Sequence, residues 1–206
     1  MSKKSLIRIV LSFVGVILIG SAIGLSRLAD LGTDPYTTFN LGLSALFNLS
    51  FGRLIIISNF IGLALVVLMA KHLIGLGTIF NILLVGYVSD LVVNTVQANM
   101  TLPTSLFVRV VVTGIGLVVL AIGAALYIVA DKGVAPYDAY PIIIEEKASG
   151  KVSFRMARVL SDIVCIAIGF FLGATVGIAT VVAGFFMGPM IQFFRTKFEQ
   201  MLEKAE

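Results

Sequence analysis

The chain is a succession of long apolar runs separated by short polar clusters. Uncharged stretches occupy Ile9–Ser26, Leu54–Ala70, Leu73–Ser89 and Val110–Ala130, and a last one extends for 32 residues from Ile163 to Phe194. Crossing the hydrocarbon of a bilayer takes about 20 apolar residues at 1.5 Å each, and ~17 suffice. The first four runs therefore predict membrane helices, while the last is too long for one crossing and short for two. An internal duplication resolves it. Asp30, Gly32, Pro35 and Tyr36 recur 101 residues later as Asp131, Gly133, Pro136 and Tyr137, and Arg8 and Gly15 recur as Arg109 and Gly116. One inserted residue then shifts the offset to 102, which pairs Arg53, Thr78 and Gly86 with Arg155, Thr180 and Gly188. Leu54–Ala70 maps onto Met156–Leu172 and Leu73–Val96 onto Thr175–Phe198, with a hairpin at Gly173–Gly177.

The pattern predicts an all-α membrane protein of six transmembrane helices in one membrane domain, 1–206. Three helices belong to each repeat, the first covering about residues 8–97 and the second about residues 109–198. An odd number of crossings delivers the second half to the opposite face. The two repeats are thus expected to have inverted topology about an axis in the membrane plane.

Composition agrees with a lipid solvent. Hydrophobic residues make up 59% of the chain and charged ones 13%, about half the share typical of soluble domains. A 206-residue core could not hide that much apolar surface. Lys3, Lys4 and Arg8 before Ile9–Ser26 imitate a secretory leader. The same segment has a counterpart at Val110–Ala130, which makes it a structural helix instead. With the N-terminus inside, twelve Lys and Arg lie in cytoplasmic segments and only Arg27, Arg53 and Arg109 outside. That bias predicts both termini in the cytoplasm. The net charge of +4 then reflects the positive-inside bias and anionic lipid, with no nucleic-acid partner.

Between the first two spans of each half lie about 25 residues that do not resemble a simple loop. Thr33, Asp34 and Pro35 form a helix start, with a capping side chain followed by proline in the first turn. Tyr36, Phe39, Leu43 and Leu46 then share one face and Thr37, Asn40, Ser44 and Asn48 another. The partner segment begins at Pro136, Tyr137 and Asp138, meets Pro141, and turns charged at Glu145. Such a short amphipathic helix either lies flat among the headgroups, anchored by its tyrosine, or dips into the bundle as a re-entrant helix. In the second case its N-terminal N–H groups point inward and line a cavity.

Ionisable residues within spans are functional candidates. Arg158 and Asp162 are one helical turn apart in the fifth span, a pairing that also serves structure. Arg53 and Arg155 stand near the start of the middle spans, either snorkelling to the interface or neutralising an anion beside the short helices. Asp30 and Asp131 close the first span of each half and are candidates for helix capping, ion coupling or gating against Arg53 and Arg155. Asp90 faces Gln192 across the repeat, and Asn59 and Asn81 suit interhelical hydrogen bonds. His72 and Cys165 are single and far apart, so no metal site or cofactor is expected. Phosphate-loop, zinc-protease and hydrolase signatures are missing, which argues against an enzyme. Four-residue glycine spacings at Gly20/Gly24, Gly169/Gly173/Gly177 and Gly184/Gly188 suit close helix packing or a homodimer face.

The run from Gly32 to Tyr36, then Leu49 to Gly52, and above all Gly75-Leu76-Gly77-Thr78 with Asn81, Gly86 and Asp90 resemble the YczE/YyaS/YitT family. The resemblance covers nearly the whole chain and implies a multi-pass protein of the bacterial cytoplasmic membrane. In the second half Gly177-Ile178-Ala179-Thr180 lacks the second glycine and the asparagine.

The expected function is secondary transport of a small polar, possibly anionic, solute by alternating access. Asp34, Pro35, Tyr36, Arg53, Pro136, Tyr137, Asp138 and Arg155 are the expected solute contacts. Asp30, Asp131, Arg158 and Asp162 are expected to couple or gate. The rivals are a non-transporting accessory protein and a small dimeric channel.

Overall fold

The computed structural model describes residues 3–100, 105–148 and 151–205; Arg155, expected above as a charge partner, lies outside the residues whose side chains are described. The regular elements are α1 (Lys3–Ala29), α2 (Pro35–Phe47), α3 (Phe51–Met69), α4 (Leu76–Asn99), α5 (Leu106–Val129), α6 (Pro136–Lys147), α7 (Phe154–Phe171) and α8 (Ile178–Ala205), plus a 3₁₀ turn at Lys71–Leu73. Five of these, α1, α3, α4, α5 and α8, are long and apolar enough to cross a membrane. The 18 residues of α7 reach about 27 Å, but Arg155, Arg158 and Asp162 fall within them. Composition alone does not mark α7 as a crossing.

Three helix boundaries differ from the sequence reading. The 3₁₀ turn delays the start of α4 from Leu73 to Leu76. The helix then continues past Asp90 to Asn99, because Arg27 neutralises the Asp90 carboxylate at 2.7 Å. Similarly α8 starts at Ile178 and not at Thr175, since Gly173 reverses the chain at φ +86°.

The core is the crossing of α1 with α5, which run antiparallel. A Cβ on Gly15 would stand 2.6 Å from the Gly123 carbonyl, so only glycine permits this approach. Val16, Ile23, Leu120 and Tyr127 pack around that crossing. α4 lies parallel to α1, with Phe13 edge-on to Phe80 at 5.7 Å and Gly20 and Gly24 against Val88 and Val92.

Contacts recur at the offset of the duplication. Gly77 N–H donates to the Lys132 carbonyl, and Ala179 N–H to that of Leu31. Thr78 Oγ1 accepts from Gly75 N–H at 3.1 Å, and Thr180 Oγ1 from Gly177 N–H at 3.4 Å. Asp131 pairs with Arg8 at 3.9 Å, and Asp30 with Arg109 at 3.2 Å. Asp30 and Asp131 both adopt left-handed backbone at φ 50° and 49°, followed by Gly32 and Gly133 at φ 95° and 98°. Aspartate tolerates that region better than most residues, and glycine enters it freely. Together they turn each chain back towards the bundle before α2 and α6 begin.

The polar face of α2 turns inward. Thr37, Asn40 and Ser44 are buried while Leu46 and Phe47 are exposed, the reverse of a helix resting in water and headgroups. Gly42 lets α2 approach Gly169 of α7. Local bonds satisfy part of this buried polarity: Asn40 Nδ2 donates to the Tyr36 carbonyl at 2.8 Å and Ser44 Oγ to that of Leu41 at 2.9 Å, while Asn40 Oδ1 finds no donor among the described residues. Asn48, expected on the polar face, instead ends the helix at φ 53°.

Candidate functional site

Each short helix starts because proline occupies its first position, where no N–H is needed. Asp34 adds a cap to α2, its Oδ1 accepting from Thr37 N–H at 3.1 Å. The two starts meet. Tyr36 and Tyr137 stack with ring centroids 4.3 Å apart and an interplanar angle of 12°. Tyr36 then donates to Asn59 Oδ1 at 2.9 Å, and Tyr137 donates to Asp162. Asn59 is the ninth of 19 residues in α3, and Asp162 the ninth of 18 in α7. Both tyrosines therefore stand halfway along the long helices.

Charge gathers at the same level. Arg158 donates to Asp138 Oδ1 at 2.6 Å, lies 3.3 Å from Asp162 Oδ1, and covers the Tyr137 ring at 4.6 Å. One guanidinium thus joins α6 to α7 through two carboxylates and an aromatic face, a combination that suits arginine and not lysine. Asp34 is close enough to feel both Arg158 and Asp162. Cys165, the only cysteine, lies beside Tyr137. The Arg158 side chain keeps 30% of its surface accessible although it sits among α6 and α7.

The structure brings together Asp34, Pro35, Tyr36, Pro136, Tyr137, Asp138, Arg158 and Asp162 at this level. Three expected participants stand elsewhere. Arg53 is exposed in the first turn of α3, where Ser50 Oγ accepts from its N–H. Asp30 and Asp131 are bound by Arg109 and Arg8 at the ends of α1 and α5. The reason is the antiparallel crossing, which carries each helix end to the start of the other helix.

A second cluster was not foreseen as a unit. Arg27 reaches Asp90 Oδ1 at 2.7 Å and Ser89 Oγ at 2.9 Å, and lies over the Phe51 ring at 4.6 Å. Asp90 Oδ2 accepts from Gly52 N–H at 2.8 Å. The cluster ties α1, α3 and α4 together at one end of the bundle, where Gly86 also packs on Gly52. The sequence signal was Asp90, a carboxylate at depth; its partner 63 residues away carried none.

Two cavities of about 350 and 290 Å³ lie away from the tyrosine pair. Arg8, Ile128, Asp131 and Arg195 line the larger, and Ile74, Gly75 and Lys132 line the smaller. Among the described residues no cluster of His, Cys, Asp and Glu is arranged to hold a metal.

Comparison of the sequence with known proteins finds relatives along nearly the whole chain. Residues 6–196 match a family of unknown function, DUF6198. An uncharacterized protein of Haemophilus influenzae is 30% identical over 86% of this chain and 78% of its own length. In Bacillus subtilis the uncharacterized membrane protein YczE is 24% identical over 100% of this chain and 93% of its own. YyaS of the same organism is 27% identical over 88% and 89%. No solved structure matches the chain. With nearly its whole length matched, the chain belongs to the DUF6198 family of unknown function, a YczE/YyaS-type group that includes membrane proteins.

Proposed function

We propose that the protein is a secondary transporter with six spans in two inverted repeats, carrying a small polar solute past the Tyr36–Tyr137 pair. In this reading α7 is the sixth span, its charges absorbed by α6 and by one another. α2 and α6 are re-entrant helices that enter from opposite faces and end at mid-depth. The recurrence of helix-end ion pairs and strapping hydrogen bonds at the repeat offset supports this two-fold relation. Backbone bends at depth are tolerable here because Leu31 and Lys132 carbonyls receive bonds from facing helices.

The observation that carries transport, as opposed to a static scaffold, is a difference between matched places. α3 and α4 are closed on each other, with Gly52 against Gly86 and the Arg27–Asp90 cluster across the seam. α7 and α8 barely touch. Among the described residues nothing lies within 4 Å of where a Cβ would stand on Gly184 or Gly188, although Gly188 is the partner of Gly86. The chemistry of the seam is also absent from the second half. Ile128 and Gln192 replace Arg27 and Asp90, and Ser50-Phe51-Gly52-Arg53 returns as Ser153-Phe154-Arg155 without the glycine. One end is latched and the other is open, the arrangement of a carrier caught facing one side. With basic residues inside, the open side is the cytoplasmic one.

Cys165 provides the test, because it is unique, partly accessible and beside the tyrosine pair. A membrane-impermeant maleimide is expected to label it at least tenfold faster in inverted vesicles than in right-side-out ones. Asp90→Asn is expected to open the second route and raise labelling from outside. Equal labelling from both sides of the unaltered protein, or from neither, would remove the carrier reading.

A further inference from the structure

The two helix starts at mid-depth are built alike except at one residue. α2 carries Asp34 as its cap, and the carboxylate fills the position in front of Thr37 N–H. α6 carries Ala135 in the same place, with closely matching backbone at φ −62° and ψ 148° against −63° and 160°. Alanine has no oxygen to offer, so Asp138 N–H, the counterpart of Thr37 N–H, has no capping side chain. A 12-residue helix thus presents an open, positively polarised end at the centre of the candidate site.

A second group points to the same spot. The Tyr127 side chain is 1% exposed, and among the described residues its hydroxyl finds no acceptor. It lies beside Ala135 N–H and within the field of Asp138, at the start of α6. A buried hydroxyl without an acceptor is a donor held in reserve. The position is Ser26 in the first half, where the cap is already made.

The opposite polarity is present too. Pro141 cannot donate to the Tyr137 carbonyl four residues earlier, whereas in α2 Asn40 Nδ2 donates to the matching Tyr36 carbonyl. Among the described side chains at this level, Asp34, Asp138 and Asp162 face a single guanidinium, Arg158. A bare anion would meet excess negative charge. A carboxylate that brings its own ammonium would not.

We infer that the start of α6 binds the carboxylate of a small zwitterion of amino-acid type, whose ammonium is held by the surplus acidic charge and the Tyr137 carbonyl. In one half the protein supplies the carboxylate, and in the other the solute does. This deepens the transporter reading and rests on its placement of the site. Its test measures equilibrium binding alone, so Cys165 labelling still judges transport separately.

Thermal unfolding of the purified full chain is followed with a mixture of the common α-amino acids at millimolar concentration. Parallel samples contain the matching amines or the matching carboxylic acids. The amino acids are expected to raise the melting temperature by several degrees, and the amines and acids by less than one. Ala135→Asp is expected to melt at or above the temperature of the unaltered protein and to lose the shift entirely. Tyr127→Phe removes only the hydroxyl, without added bulk, and is expected to cut the shift by at least half. No shift in the unaltered protein overturns the inference, as does a full shift in a folded Ala135→Asp variant. A shift as large with the acids alone overturns the zwitterion.

Discussion

The two seams of the bundle occupy matched places in the sequence, yet one is tied and, among the described residues, the other is not. At the first, Arg27, Asp90 and Gly52 join three helices through bonds of 2.7–2.8 Å. At the second, Ile128, Gln192 and Phe154-Arg155 stand in the matched places and Gly188 faces open space among the described residues. The recurring positions are shared by the two halves, and a few polar residues that differ between them distinguish the seams. A half-buried ion pair that also satisfies a helix-start N–H gives orientation and register at modest net stability, since desolvation cancels much of its attraction.

The comparison can be broken most severely at the tyrosine level. Arg158→Met leaves the buried Asp162 and the half-buried Asp138 with no counter-charge and, with solvent screening out part of the loss, should cost about 3 kcal/mol, visible as loss of monodisperse protein on extraction. Adding Asp138→Asn and Asp162→Asn to that variant should recover most of the loss. If Arg158→Met alone melts like the unaltered protein, the guanidinium does not hold α6 to α7. Next comes the α1–α5 crossing. Gly15→Leu should cost about 1–3 kcal/mol by wedging helices apart, whereas the same change at Gly184, which meets nothing among the described residues, should be nearly neutral. Equal melting temperatures for the two variants would contradict the closed-against-open description.

Smaller effects sharpen the contrast between the helix starts. Asp34→Ala should lose about 1 kcal/mol of cap energy in denaturant titration. Its mirror, Ala135→Asp, should gain a comparable amount, because the start of α6 has no capping side chain. The smallest effect is expected at Arg53, which stands exposed outside both clusters. Arg53→Ala should change stability by no more than about 0.5 kcal/mol and leave the sidedness of Cys165 labelling unaltered.

Much of the scaffold was legible before any coordinates. Hydropathy alone marks α1, α3, α4 and α5, and the duplication divides the final run into α7 and α8. The helix starts at Pro35 and Pro136 were equally plain, because proline acts within one turn, joined at the first by the capping Asp34. Which arginine matters was not legible. Arg27 and Arg53 flank the short helix at similar distances along the chain. Packing α1 beside α4 nevertheless brings Arg27 to Asp90 and leaves Arg53 on the outside. The buried polar face of α2 was likewise hidden, since an amphipathic period does not say which face meets protein.

What the sequence determined by itself is everything governed by short range and by repetition: apolar lengths, turn residues, caps and the offset that relates the halves. Hydrophobic transfer and backbone sterics act locally, so these are written residue by residue. Only the tertiary structure decided the partners of charges far apart along the chain, the direction of the α2 polar face, and the inequality of the two seams. Each of those depends on how helices cross, and a crossing is settled by small residues such as Gly15 and Gly123 meeting across about a hundred residues of chain.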